Sequence, residues 1–282
     1  MPERPDLAYW VEVLTQEVVG RTVEQTITSN PVIVRSSVAL DQTPAFRFDA
    51  VRRHSNFVVF ECSDQHWLII SPMLAGRFSL SPQSTRQQRS TAVRWELDDA
   101  RSLRYLDQRQ MGKVYRVPRA QTSDVPGFEK VGADILAPAF DVELFLSLAK
   151  GRRDQVRVFL MDKAALDCIG NAYADEVLWE ARIHPKTFVR ALSEQQLFDL
   201  HQAIIKVHRD AIAEIARRRP ALDDKVRDFL KVRGRHKQPC PRCESPIRKA
   251  GVRGYDAFFC PQCQPDGRQS AIVNWRRVDR AR

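Results

Sequence analysis

Four cysteines near the C-terminus, Cys240-x-x-Cys243 and Cys260-x-x-Cys263, constrain the fold of this chain more than any other feature. Each pair puts two sulfurs on one tight knuckle, and the sixteen residues between the pairs suffice for a β-hairpin. Two structural disulfides would be the alternative. They need an oxidising compartment, and the N-terminus has acidic residues where a secretory leader would carry a basic region and an apolar core. A cytoplasmic chain with reduced thiols is therefore expected, nucleoid-associated if the source is bacterial. Four thiolates close the coordination sphere of Zn2+, so the metal should be structural and not hydrolytic. The other two cysteines, Cys62 and Cys168, sit among apolar neighbours and read as small core residues.

The rest of the chain must supply cores of its own. Its 282 residues are enough for about two domains. No apolar run approaches the ~18 residues of a membrane span. Lysine and arginine outnumber acidic residues 45 to 35, a net charge of +10 that favours a polyanionic partner, nucleic acid or a membrane surface. Leu7, Trp10, Val11, Leu14 and Val18 recur at helical spacing and Gly20 stops the helix. Short strands follow: 22–28, 46–52, 57–62, 67–70, 78–80, 93–97 and 103–105, which predict an antiparallel sandwich or barrel. Beyond Pro126-Gly127 the periodicity predicts helices at 142–148, 154–160, 171–181, 194–217 and 224–230. The long helix has a capping box, Ser193 with Gln196, a stripe of Leu197, Leu200, Ile204, Val207, Ala211 and Ile215, and a stop at Pro220.

Two short motifs carry chemistry. Removal of Met1 would leave a secondary amine on Pro2 with the Glu3 carboxylate beside it. An α-amine with a pKa of about 7.7–8 is partly unprotonated near neutrality and can attack an electrophilic carbon. Without other support, the same residues are an ordinary frayed terminus. The second motif, Gly170-Asn171-Ala172-Tyr173-Ala174-Asp175-Glu176, opens a helix whose backbone N–H groups and Asn171 amide suit a phosphate. The plain alternative is a normal helix start.

Taken together, the Pro2-Glu3 start, the strand-rich first half, the Gly-Asn-x-Tyr-Ala-Asp-Glu segment and the four-cysteine ribbon resemble the formamidopyrimidine-DNA glycosylase/endonuclease VIII family of base-excision repair enzymes over nearly the whole length. The resemblance implies an α+β architecture. A helix and β-sandwich catalytic domain would span 1–120, a linker 121–140, a helix-two-turns-helix domain 141–235, a zinc ribbon 236–264 and a basic tail 265–282. It implies a monomer that binds damaged DNA. Pro2 is the matching nucleophile, forming a Schiff base with deoxyribose and then cutting the strand as a lyase. Glu3 matches the proton shuttle, and Asp6 replaces a usual glutamate at the helix start. The void left by an extruded nucleotide would be plugged by Leu74 and Met111 with Arg109, residues that core packing would otherwise explain. Asn171 would contact phosphate.

Several positions depart from the family pattern. Asn56 stands where a phosphate-binding lysine is usual, with Arg53 or His54 as candidate replacements. Tyr255 stands where the ribbon usually has arginine, with Arg253 two residues away on the same strand face. The long loop that covers 8-oxoguanine in the formamidopyrimidine branch has no counterpart between Phe229 and the ribbon. These changes point away from 8-oxoguanine, toward ring-opened, bulky or alkylated bases, abasic sites, or single-stranded and cross-linked DNA. A glycosylase/lyase is thus expected. The alternatives are a lesion-binding protein of the same fold with weakened catalysis and, third, a zinc-ribbon interaction protein. In the tail, Trp275-Arg276-Arg277 and Arg280 suit nucleic acid as well as an ordinary basic extension.

Overall fold

A computed structural model describes residues 1–36 and 38–266; the basic tail beyond Asp266 lies outside the described residues. The chain opens with α1 (Arg4–Val18), begun by the Glu3 N–H donating to the Asp6 carboxylate at 2.8 Å. Gly20, at φ +84°, provides the left-handed exit that a β-carbon would resist. Nine strands follow: β1 (Thr22–Thr28), β2 (Val34–Ser36), β3 (Phe46–His54), β4 (Phe57–Cys62), β5 (His66–Ser71), β6 (Arg77–Pro82), β7 (Thr91–Leu97), β8 (Arg101–Leu106) and β9 (Lys113–Pro118).

Hydrogen bonding orders them β2-β9-β5-β4-β3-β1-β7-β8-β6. The link between β3 and β1 is only two residue pairs wide, Thr22 with Arg47 and Val23 with Phe46, so the ladder folds there into two facing sheets. Every pairing is antiparallel except β2 with β9. Period-two alternation explains how β4 is buried on both faces. Val58, Phe60 and Cys62 enter the sandwich core, whereas Phe57 and Val59 lie under Val125 and Phe128. The sandwich core joins Phe48, Phe60, Phe78, Trp95 and Tyr105 to Leu7, Trp10, Leu14 and Val18 of α1. Truncating one such ring to alanine typically costs about 3–5 kcal/mol.

The second half contains α2 (Val142–Ala149), α3 (Val156–Leu160), α4 (Asn171–Glu180) and α5 (Glu194–Arg218). The expected capping box of α5 is present, with Gln196 N–H donating to Ser193 Oγ at 3.2 Å and Ser193 N–H to Gln196 Oε1 at 3.0 Å. Its stripe is buried at Leu200, Ile204, Ala211 and Ile215 and half-buried at Leu197 and Val207. Helix α4 is buried on all sides from Ala172 to Trp179, because the helical core, the ribbon and α5 all pack against it. The ribbon hairpin consists of β10 (Arg248–Val252) and β11 (Tyr255–Phe259). Among the described residues, no helix is long and apolar enough to cross a membrane.

Tertiary bonds override one expected helix. Residues 224–230 are irregular, since Arg227 is drawn to Asp6 and Asp228 to Arg218. The next three amides, Lys231, Val232 and Arg233, all donate to the buried Glu176 carboxylate, which a helix through this segment would prevent.

Candidate active site

The Glu3 side chain joins the two halves of the molecule. Its carboxylate crosses to the first turn of α4 and accepts the N–H groups of Gly170 (3.0 Å), Ala172 (3.1 Å) and Tyr173 (3.1 Å). Helix polarity favours an anion there. Burial nevertheless pushes the Glu3 carboxyl above the ordinary glutamate range, against the pull of Tyr173, Arg227 and Ala172. Gly170 makes the approach possible: a β-carbon there would lie 2.6 Å from Glu3 Cδ and 2.8 Å from Oε2. The amides that the sequence alone would offer to phosphate are thus committed to Glu3. The Asn171 side chain is not among the groups that Glu3 takes.

Pro2 is buried beside this seat. The chain-terminal amine one residue before it is pushed down from 8.0 to about 6, first by burial, then by the Lys225 charge, with Arg77 also contributing. Asp6 is held between the Glu3 N–H and Arg227, a role in the helix start. Lys163 Nζ reaches the Met1 sulfur at 3.5 Å. Neither Lys163, Lys225, Arg227 nor Arg77 stands out in the sequence. The segment carrying Lys225 reads as helix, and nothing in its spacing shows that it folds over the N-terminus.

Leu74, Arg109 and Met111 are exposed, Leu74 at 44 % and Met111 at 38 %, so core packing does not account for the two apolar residues. Their loops are built to be rigid. Asp107 accepts the Arg109 N–H at 3.1 Å and the Gly112 N–H at 2.6 Å. Both Gly76 and Gly112 press on the buried Tyr105 hydroxyl, with no room for a β-carbon at either. Beside these loops opens a polar cavity of about 900 Å³, lined among others by Asn30, Ala75, Arg77, Gln88, Gln110 and Asp223. Before the segment that supplies Gln87, Gln88 and Arg89 to its lining, the buried Arg104 guanidinium donates to the carbonyls of Thr85 (2.8 Å) and Pro82 (3.3 Å).

The departures noted in the sequence take specific forms. Asn56 sits in the tight β3–β4 turn. Neither candidate replacement is available there. Arg53 is paired with Asp134 and Asp167, and His54 stacks on Phe128 at 4.0 Å while its Nε2 bonds the Phe128 carbonyl at 2.6 Å. Arg253 is not on the strand face: it occupies the hairpin turn at φ +46° beside Gly254, exposed at the tip. Tyr255 follows as the first residue of β11, 57 % exposed.

The four ribbon sulfurs lie within 4.8 Å of one another, with contacts of 3.3, 3.4 and 3.9 Å. Tetrahedral zinc with Zn–S bonds of about 2.3 Å requires sulfurs ~3.8 Å apart. Hydrogen bonds from Ser245 hold the Cys243 thiol below its ordinary value, whereas burial and the neighbouring sulfurs push Cys260 and Cys263 up, and Trp179 Nε1 donates to Cys240 Sγ at 3.4 Å. The arrangement is a closed, structural zinc site.

Comparison with known proteins agrees with this geometry. Residues 1–114 match the formamidopyrimidine-DNA glycosylase N-terminal domain, 131–219 its helix-two-turns-helix domain, and 237–265 the zinc finger found in that enzyme and in isoleucyl-tRNA synthetase. The formamidopyrimidine-DNA glycosylase of Crocosphaera subtropica is 30 % identical over 284 residues, covering 95 % of this chain and 99 % of its own. The chain belongs to the formamidopyrimidine-DNA glycosylase family. That of Desulforamulus reducens is 29 % identical, with 94 % and 99 % covered. Among solved structures, the family's Lactococcus lactis enzyme with DNA containing N7-benzyl-Fapy-dG has a TM-score of 0.86 at 25 % identity, covering 94 % of this chain and 100 % of that one. Its complex with abasic-site DNA gives 0.85 at 24 %.

Proposed function

We propose that this family member is a DNA-repair glycosylase with an associated lyase activity, and that the Pro2 amine, freed by removal of Met1, is its nucleophile. The observation that carries the reading is the shared seat. Pro2 and Glu3 are both buried where the chain start meets α4, and the Glu3 carboxyl, pushed up by burial, bonds the first turn of that helix in the other half of the molecule. The amine attacks C1′ of an extruded nucleotide, and the base leaves with the electron pair of its glycosidic bond. Glu3 handles the proton on the sugar oxygen as the ring opens, and the resulting iminium allows β-elimination of the 3′ phosphate. Leu74, Met111 and Arg109 fill the vacated stack, and Asn171 contacts the backbone.

Borohydride trapping tests this directly. With abasic duplex DNA, the processed protein is expected to give a covalent adduct, and Pro2→Gly to lose nearly all of it. Absence of an adduct from protein whose intact mass shows Pro2 at the terminus would favour the second reading, a lesion-binding protein. Asn56 and Tyr255, which stand where the family has cations, support that alternative.

We place the extruded base in the cavity beside the Leu74 and Met111 loops, whose lining residue Arg77 also acts on the terminal amine. At about 900 Å³ it lies near the top of the ~300–1,000 Å³ range of small-molecule pockets, far more than one base needs. The relative holding N7-benzyl-Fapy-dG DNA supports a substituted, ring-opened purine as substrate. In a panel of duplexes, ring-opened and alkylated purines should be excised faster than 8-oxoguanine opposite cytosine. Equal or faster removal of 8-oxoguanine would refute this preference.

A further inference from the structure

We propose that Arg157 is a positioning residue that aims the Asn171 amide at the DNA backbone and locks the zinc hairpin in register with it. The inference rests on the phosphate contact proposed above for Asn171. A carboxamide has a donor end and an acceptor end, and a phosphate oxygen can be met only by the donor end. A guanidinium has donors only, so whichever amide atom it binds must be the oxygen. Arg157, only 1 % exposed, donates from Nη2 to Asn171 Oδ1 at 2.9 Å. That bond leaves Nδ2, with its two protons, as the free end of the amide.

The same guanidinium is anchored twice more. Its Nε donates to Asp175 Oδ1 at 2.8 Å, one turn along α4, and Nη2 also lies 3.3 Å from the Asp256 carbonyl of β11. The second Asp175 oxygen accepts Arg233 Nη1 at 2.8 Å and the Phe258 N–H at 3.2 Å. One buried ion pair therefore fixes the Asn171 amide on α4 and the strand that leads from the hairpin tip bearing Arg253 and Tyr255. These contacts come from elements distant in sequence and must meet one DNA backbone within a few tenths of an ångström. A lysine at 157 would have a single compact ammonium and could not span Asp175, Asn171 and Asp256 together.

A double-mutant cycle on the full-length, zinc-loaded protein tests the proposal, reading affinity for duplex DNA containing a tetrahydrofuran abasic analogue. Asn171→Ala and Arg157→Lys should each weaken binding about tenfold or more, the scale of a hydrogen bond to a charged group. The double variant should be no weaker than the worse single, because both remove the same contact. Multiplying losses, or no loss in an Arg157→Lys protein with full zinc content, would overturn it. Asn171→Asp covers the case in which Arg157→Lys does not fold. It keeps an acceptor for Arg157, so the melting temperature should hold or rise, yet it has no donor and should lose at least as much affinity as alanine. An Asn171→Asp protein that binds like the parent would also sink the idea. If Asn171→Ala alone has no effect, the phosphate reading fails, and this proposal with it. Affected Asn171 variants combined with a silent Arg157→Lys would remove the positioning role alone.

Discussion

Gly170→Ala should lower base excision by about 10²-fold or more while the protein still folds and still binds abasic DNA. The glycine has φ −114°, a conformation alanine adopts freely, so the effect is purely steric. A β-carbon would collide with the Glu3 carboxyl, and α4, buried on all sides, cannot retreat. Glu3 must move, and a displacement of about 1 Å at a reacting group is enough for a loss of this size. Overpacking of this kind costs roughly 1–3 kcal/mol of stability. Single-turnover excision measured beside a thermal melt separates the two effects. Near-normal excision would mean that the Glu3 position is not critical. Glu3→Gln should lose about 10²–10⁴-fold, the usual contribution of a proton-transfer group.

Glu3 also makes a signed pH prediction. Its folded pKa is raised, with burial as the main cause. Stability from the neutral carboxyl is then fully present below the unfolded value of about 4.3 and is lost as pH rises from there through the folded pKa. Glutamine does not titrate. The stability of the parent relative to Glu3→Gln should therefore fall with rising pH across that window. A difference that grows with pH would show that the three α4 amides, not burial, govern this group.

How much of this could be read beforehand depended on whether a signal was local. The α1 stripe, the capping box of α5 and the paired cysteines are each written within a few turns of chain, and each appears in the structure as expected. What could not be read was where local motifs are used. Gly170-Asn171 reads as a seat for an external anion, but the group its amides hold is the Glu3 carboxyl, 167 residues earlier. Residues 224–230 have a plausible helical pattern that loses to the bonds of Glu176, Asp6 and Arg218. Arg53 and His54 look free to substitute for a missing cation until Asp134, Asp167 and Phe128 are seen to occupy them. Arg253 falls in a turn because the hairpin reverses at Arg253-Gly254, a choice of register that strand alternation alone does not fix.

Removing the zinc should produce the other large effect, and should do so without unfolding the sandwich. Cys240, Cys260, Ile247 and Phe258 form a small core with Trp179 and Val232, too small to hold a hairpin without its metal. Structural zinc supplies about 10–16 kcal/mol in zinc-finger peptides. Chelation, or Cys240→Ser, should therefore melt β10 and β11, expose Trp179 and release the Phe258 N–H and Asp256 carbonyl from the Arg157–Asp175 pair. Affinity for abasic DNA should drop by at least 10²-fold, since the ribbon tip is lost and the Asn171 amide loosens in the same event. None of the sandwich core comes from the ribbon, so hydrogen-exchange protection in β4, β5 and β8 should persist. Red-shifted tryptophan emission with that protection intact is the expected signature. Simultaneous loss of protection in both halves would show instead that the metal stabilises the whole chain as one cooperative unit.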